Sequence, residues 1–190
     1  MPLVLASASP RRSELLKRAG YSFAVAPPEI DESPREREDA LAYCERMARE
    51  KAAAGAEGRA AGTVLGGDTV VIIDGDILGK PRDVEDAHAM LSSLSGRTHH
   101  VASAVALRDV GAGVEVSGIE VSEVCFDELS SEVLDGYLAG DEWCDKAGAY
   151  AIQGEASRFA HLRSGELDTV IGLPILLVAD LSDRLAEMLP

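Results

Sequence analysis

The segment from Ser7 to Arg12 combines two serine hydroxyls, a proline and two guanidinium groups. It follows a short apolar run, and its Ser9-Pro10 step is typical of the first turn of a helix. Backbone N–H groups, the positive end of the helix dipole and arginine side chains all favour a phosphate at such a position, where Ser7, Arg11 and Arg12 could contact it. A helix cap followed by solvated basic residues explains the spacing about as well. Because an arginine is electrostatically unfavourable at the positive end of a helix, its presence there slightly favours the interpretation as a phosphate site.

Asp68 interrupts an apolar run from Thr63 to Ile73 that otherwise reads as a buried strand. Aspartate is depleted in strands, and an unpaired buried carboxylate is costly, so Asp68 requires a cation, a metal or a chemical role. The preceding Gly66 and Gly67 leave room for another backbone or a ligand. The alternative is a bulge that turns the Asp68 side chain to solvent.

Three lysines lie in settings that are unusual for a surface lysine. Lys51 follows Met47 and Ala48 at helical spacing, so we expect it at the end of an apolar helix stripe, near the core or a cleft. Lys80 stands between a glycine and a proline, and Lys146 lies in a loop of small residues. Taken singly, each is more often a solvated or snorkelling lysine.

The composition excludes several classes of function. The chain has 190 residues and a formal net charge of −15, from 33 acidic against 18 basic residues, which argues against a binder of nucleic acid backbones. Aromatic residues make up only 4%, too few for a platform that stacks bases. No apolar run approaches a membrane span, and the N-terminus does not resemble a signal peptide. Three scattered cysteines favour reduced thiols, so we expect a soluble cytoplasmic protein.

Strand and helix signals alternate along the chain, with one long hairpin, and this pattern predicts an α/β domain with a mixed sheet over residues 1–190. A capping-box pattern at Ser33-Pro34-Arg35-Glu36 predicts the start of a long helix that ends near Ala53. The stretch 52–62 is expected to be a loop, and 149–152 a strand. Other strands are predicted at 3–6, 21–26, 63–73, 99–109, 114–126 and 159–162, and other helices from Pro10 and at 84–94, 130–138 and 174–189.

Together these motifs resemble the Maf family of nucleoside triphosphate pyrophosphatases over nearly the whole chain. The shared motifs are Leu5–Leu16, Asp31-Glu32, Arg49–Ala52, Leu65–Val71, Gly79–Asp83, Met90–Thr98, Asp145–Gly154 and Val170–Pro174. The resemblance implies a twisted mixed sheet flanked by helices, similar to the inosine triphosphate pyrophosphatase fold, with two lobes around a cleft. It also implies hydrolysis of a nucleoside triphosphate to the monophosphate and pyrophosphate.

The resemblance implies roles for the charged residues. A divalent metal, Mg²⁺ or Mn²⁺, would bind Asp68 and Glu32 and activate water, with Asp68 as the proton acceptor. Neutralisation of the triphosphate would come from five cationic side chains, Arg11, Arg12, Lys51, Lys80 and Lys146.

Three residues resemble the branch of the family that hydrolyses dTTP and UTP, namely Arg11, Thr69 and Gln153. The other branch prefers a 7-methylated guanosine triphosphate. Two alternatives stay open, a house-cleaning pyrophosphatase for modified nucleotides and a nucleotide-binding regulator of septum formation with little turnover. The family also suggests a homodimer, whereas the acidic composition and the short apolar runs argue against a nucleic acid or membrane partner.

Overall fold

A computed structural model describes residues 2–189. Within this range the chain forms seven strands and six α-helices. The strands are β1 (Leu3–Leu5), β2 (Phe23–Val25), β3 (Thr63–Ile73), β4 (Asp76–Leu78), β5 (Thr98–Asp109), β6 (Glu115–Phe126) and β7 (Ala160–Ser164). The helices are α1 (Pro10–Arg18), α2 (Ala40–Ala56), α3 (Val84–Leu94), α4 (Ser131–Leu138), α5 (Leu167–Ile171) and α6 (Ile175–Met188). None of the helices in the described range is both long and apolar enough to cross a bilayer.

The strands form one mixed sheet in the order β2-β1-β3-β5-β6-β7, with β4 paired to β3. Strand β1 is parallel to both β2 and β3, whereas the β3–β4 and β6–β7 pairs are antiparallel. Parallel neighbours need crossover connections, and helices α1 and α2 provide them along the chain. The sheet confirms the predicted mixed α/β fold.

The chain forms two compact units, and each has its own apolar cluster. The first unit contains the chain up to Thr69, Ser103–Glu120 and the chain from Gly172 onward. The second contains Val70–Ala102 and Val121–Ile171. Buried residues of β1 and β3 pack together in the first unit. The second unit encloses a larger cluster with four buried aromatic rings in successive edge-to-face contacts, Tyr150, Phe126, Phe159 and Tyr137.

The predicted start of helix α2 is wrong by several residues. Ser33 does not cap a helix, since no helix forms between Ser33 and Asp39, and its backbone N–H donates to Asp31 at 2.9 Å in a local turn. Arg37 then adopts a left-handed backbone with φ of 58°, which interrupts any helix started earlier. The helix begins after Asp39, whose carboxylate accepts from the N–H groups of Leu41 and Ala42.

Two other boundaries also differ from the prediction. Helix α2 continues to Ala56, because alanine favours helix and Gly55 packs against Ala6, just after β1, where a Cβ at Gly55 would lie 2.8 Å from the Cβ of Ala6. The predicted strand at 149–152 is absent from the described residues. In its place, Ala147–Ala149 form a 3₁₀ turn in which Gly148 has a φ of 69°.

Candidate active site

Helix α1 begins where the sequence predicts, and its first turn carries a buried arginine. The side chain of Ser9 caps the helix by accepting from the N–H of Arg12 at 3.4 Å. The Arg12 side chain turns inward, and the residue is only 9% exposed. Its Nε donates to the carbonyl of Gly172 at 2.9 Å, Nη1 to the hydroxyl of Ser7 at 3.0 Å, and Nη2 to the hydroxyl of Thr69 at 3.1 Å. These acceptors are uncharged, so they fix the guanidinium without cancelling its charge.

The backbone at Gly172 strongly favours glycine. Its φ is 125°, which L side chains rarely adopt, and a Cβ would lie 3.2 Å from the hydroxyl of Thr69. The carbonyl of Gly172 also lies 3.4 Å from that hydroxyl, so it contacts both Thr69 and Arg12. The sequence signal was its place in the Val170–Pro174 motif, but the motif alone gave this glycine no role.

Lys51 lies between two carboxylates. Its Nζ is 2.8 Å from Oδ1 of Asp68 and 3.2 Å from Oε1 of Glu32. Lys51 and Asp68 are 8% and 7% exposed, which confirms the inference that Lys51 ends a buried helix stripe and rules out the solvent-facing bulge at Asp68. The Glu32 side chain is 54% exposed, so it closes the group on the solvent side.

Close packing of α2 on β3 brings Lys51 to Asp68. A Cβ at Gly66 would lie 2.1 Å from the carbonyl oxygen of Ala48 and 2.5 Å from the nitrogen of Ala52, distances that no side chain can occupy. Only glycine therefore lets the helix backbone lie this close to the strand. Lys51 is part of the helix turn that makes this contact.

Two residues that sequence reasoning missed also belong to this region. Ser103 in β5 is fully buried, and its hydroxyl is 2.8 Å from that of Thr69. Tyr43 in α2 donates its hydroxyl proton to the backbone carbonyl of Glu32 at 2.7 Å. Burial and the negative charges of Asp68 and Glu32 raise the pKa of Tyr43 to about 12, so the hydroxyl is protonated at neutral pH. A serine in a strand and a tyrosine in a helix are too common to signal a role.

Lys80, Lys146 and Gln153 belong to the second unit. The loops that carry the two lysines are joined, because the N–H of Gly148 donates to the carbonyl of Gly79 at 3.0 Å. The ammonium of Lys146 donates to the carbonyl of Cys144 at 3.2 Å. Lys80 and Gln153 are exposed to solvent.

The carboxylates of Asp68 and Glu32 fit a divalent cation. Among residues 2–189 there is no cluster of three or more histidine, cysteine or acidic side chains that could enclose a metal. Mg²⁺, however, is commonly held by one or two carboxylates plus substrate phosphates. Two carboxylates that share a contact to Lys51 are such an oxygen donor set.

Comparison with known proteins identifies the family of this chain. The family model described as "Maf-like protein" matches residues 2–185. Proteins named dTTP/UTP pyrophosphatase from Salmonella typhimurium and Escherichia coli are each 46% identical over 92% of this chain and 88% of their own length. One of the same name from Anaeromyxobacter is 44% identical over 99% of this chain and 91% of its own.

A solved structure shares the fold. The HAM1 protein from Coxiella burnetii superposes with a TM-score of 0.53 and covers 98% of this chain and 99% of its own. At 15% identity this likeness concerns the fold alone. Because a family model matches nearly the whole chain and relatives reach 46% identity, the chain belongs to the Maf family.

Proposed function

We propose that this chain is a nucleoside triphosphate pyrophosphatase that hydrolyses dTTP and UTP to the monophosphate and pyrophosphate. The names and identities of its relatives support the substrate and the reaction. The observation that carries the chemistry is the buried contact between Lys51 and Asp68 at 2.8 Å.

Arg12 and Lys51 are the cationic groups that the first unit offers to a triphosphate. Arg12 is fixed by three uncharged acceptors, so it is preorganised to bind a phosphate oxygen. Lys51 is fixed by Asp68 and Glu32. Groups held in place before the substrate arrives need no reorganisation during the reaction. We propose that Arg11, Lys80 and Lys146 neutralise the remaining phosphate charge, and that the Ser7 hydroxyl, besides orienting Arg12, contacts a phosphate oxygen.

Asp68 is the proposed proton acceptor. Its Oδ1 is bound by Lys51, which fixes the orientation of the carboxylate. The carboxylate would take the proton from the attacking water, while the cationic side chains stabilise the charge that develops on the phosphates. Asp68 and Glu32 would hold a divalent cation such as Mg²⁺ or Mn²⁺, which supplies charge neutralisation and polarises a phosphate oxygen when bound.

Base selectivity is proposed to rest on Arg11, Thr69 and Gln153. The exposed amide of Gln153 can both donate and accept hydrogen bonds with a pyrimidine edge, whereas a carboxylate there would favour the donor-rich edge of guanine. The hydroxyl of Thr69 is held by Arg12 and Ser103 next to Asp68 in the chain. We expect dTTP and UTP to be preferred over purine triphosphates by at least about tenfold in kcat/KM.

We further propose that both units form one Maf domain and that the protein acts in the cytoplasm as a homodimer. The family model, which spans both units, supports the single domain. Among the described residues Cys44, Cys125 and Cys144 form no disulfide, which suits a reducing compartment. Sedimentation equilibrium of the purified protein tests the dimer.

The decisive test is a panel of dTTP, UTP, CTP, GTP and 7-methyl-GTP, with pyrophosphate and orthophosphate measured separately. Asp68→Asn should lower turnover by at least about a hundredfold. Asp180→Asn, at an exposed aspartate of α6 paired with Arg184, is the matched control and should be fully active. Orthophosphate as the only inorganic product, or full activity in excess chelator, would contradict the proposal. A strong preference for a modified nucleotide would favour the house-cleaning pyrophosphatase. Nucleotide binding with negligible turnover would favour the nucleotide-binding regulator.

A further inference from the structure

Glu32 lies in a segment without helix or strand, between the end of β2 at Val25 and the start of α2 at Ala40. Its side chain is 54% exposed, so burial does not hold the carboxylate in place. The short turn between Asp31 and Ser33 shapes the backbone only locally. A contact at 3.2 Å to Lys51 therefore requires that something else fix this segment.

Tyr43 is the first anchor of the segment. Its ring is buried in α2, and its hydroxyl donates to the backbone carbonyl of Glu32 itself at 2.7 Å. The bond fixes the main chain at the residue whose carboxylate reaches Lys51. The guanidinium carbon of Arg46 lies 5.4 Å from the centre of the Tyr43 ring, in cation–π distance.

Arg46 is the second anchor. Its Nε and Nη2 each donate to the carboxylate of Glu38 at 2.6 Å, and Nη2 also reaches the carbonyl of Ser33 at 3.2 Å. The paired side chains are only 14% and 10% exposed, and Nη1 binds Glu50 within α2. Bidentate charge-assisted bonds of this kind combine strength with a fixed geometry.

We propose that Tyr43 and Arg46 are positioning residues that hold the Glu32 segment on α2 and so place the Glu32 carboxylate against Lys51. The inference rests on the function proposed above, because Glu32 has a role only if the carboxylate pair does. Helix α2 then carries both the ammonium that contacts Asp68 and the two anchors that bring Glu32 to it. Neither anchor needs to touch the substrate.

The test measures kcat/KM for dTTP in Tyr43→Phe and Arg46→Lys, which retain the ring and the positive charge but lose the hydroxyl and the bidentate geometry. We expect a loss of about tenfold in each, since small misplacements of a reacting group cost rate steeply. The matched controls are Tyr21→Phe, at a half-buried tyrosine, and Arg18→Lys, at an exposed arginine of α1, which should retain wild-type activity. Trypsin should also cleave after Arg35 or Arg37 faster in Arg46→Lys than in Arg18→Lys.

A double-mutant cycle distinguishes positioning from a general effect on folding. In a Glu32→Gln background, Tyr43→Phe should lower kcat/KM much less than in the wild-type background, because the group it positions has already been removed. A full tenfold loss in both backgrounds, with Glu32→Gln itself impaired, would overturn the positioning role alone. Wild-type activity in Glu32→Gln would instead overturn the proposed role of Glu32. If Arg46→Lys fails to fold, Tyr43→Phe decides the question, because it removes only one oxygen atom.

Discussion

His99 is expected to make the protein sensitive to acid. The residue lies in β5, is 1% exposed, and packs edge-to-face against Phe126 and Tyr150. Its Nε2 is 2.8 Å from the hydroxyl of Tyr150, while its Nδ1 is buried without a partner among the described residues. Burial, and to a lesser degree the neighbouring His100, lowers the pKa of His99 from 6.5 to about 4.

The sign of the effect follows from which state binds the proton first. As the pH falls through 6.5, the unfolded chain protonates His99 while the folded chain keeps the ring neutral, so stability is lost. The loss continues down to about pH 4, where the folded state also binds the proton. Since one pKa unit corresponds to about 1.4 kcal/mol, His99 alone should lower the free energy of unfolding by about 3 kcal/mol between pH 7 and pH 4.

Urea unfolding at pH 7, 6, 5 and 4, followed by circular dichroism, measures this free energy. The comparison is between the wild type and His99→Gln, which removes the titrating ring, with His88→Gln as the matched control at an exposed histidine of α3. His99→Gln should lose about 3 kcal/mol less than the wild type over this range, whereas His88→Gln should follow the wild type. Parallel pH curves for the wild type and His99→Gln, or an NMR titration of His99 with a midpoint near 6.5, would refute the reasoning.

Three further predictions concern the site. Asp68→Asn should lower the free energy of unfolding in urea by about 2 kcal/mol, because the buried Lys51 ammonium then keeps only the half-exposed Glu32 as a charged partner. The double variant Lys51→Met/Asp68→Leu removes both buried charges and should recover most of this loss. Gly66→Ala should cost about 1–3 kcal/mol and lower kcat/KM by pushing α2 away from β3, whereas Gly136→Ala, a helical position with open space around it, should stabilise by up to about 1 kcal/mol. Gln153→Glu should lower the ratio of kcat/KM for dTTP to kcat/KM for GTP by a larger factor than it lowers kcat/KM for GTP itself. Each tenfold change in this ratio corresponds to about 1.4 kcal/mol.

Periodicity and turn chemistry predicted most of the fold, because long strands and well-capped helices carry their signals locally. Asp68 and Lys51 could also be found in this way, since each breaks the pattern around it. Arg12 was found on the same grounds, but its hydrogen bond to Gly172 joins residues 160 positions apart, and no local pattern contains such a contact.

The start of α2 could not be predicted, because the helix-cap signal at Ser33 is overridden by backbone geometry and contacts elsewhere in the segment. Ser33 has the spacing of a helix cap, but the left-handed backbone at Arg37 prevents a helix from starting at that point. The bonds of Arg46 to Glu38 and to the carbonyl of Ser33 hold the segment in its observed shape. These bonds form only once the helix exists, so the sequence around Ser33 does not contain the deciding interaction.

The hydrogen bond from Arg12 to Gly172 determines when, during synthesis of the chain, the Arg12 side chain can reach its final position. Three separate stretches of the sequence make up the first unit, and its last stretch, from Gly172 onward, follows the whole of the second unit. When Arg12 has just emerged from the ribosome, the carbonyl of Gly172, which will accept the hydrogen bond from its Nε, has not yet been synthesised. At about 5–20 residues per second, a ribosome needs roughly 8–32 s to translate the intervening stretch. During that interval the Arg12 side chain lacks one of its three acceptors, so we expect phosphate binding through Arg12 only after Gly172 has been synthesised and has emerged from the ribosome.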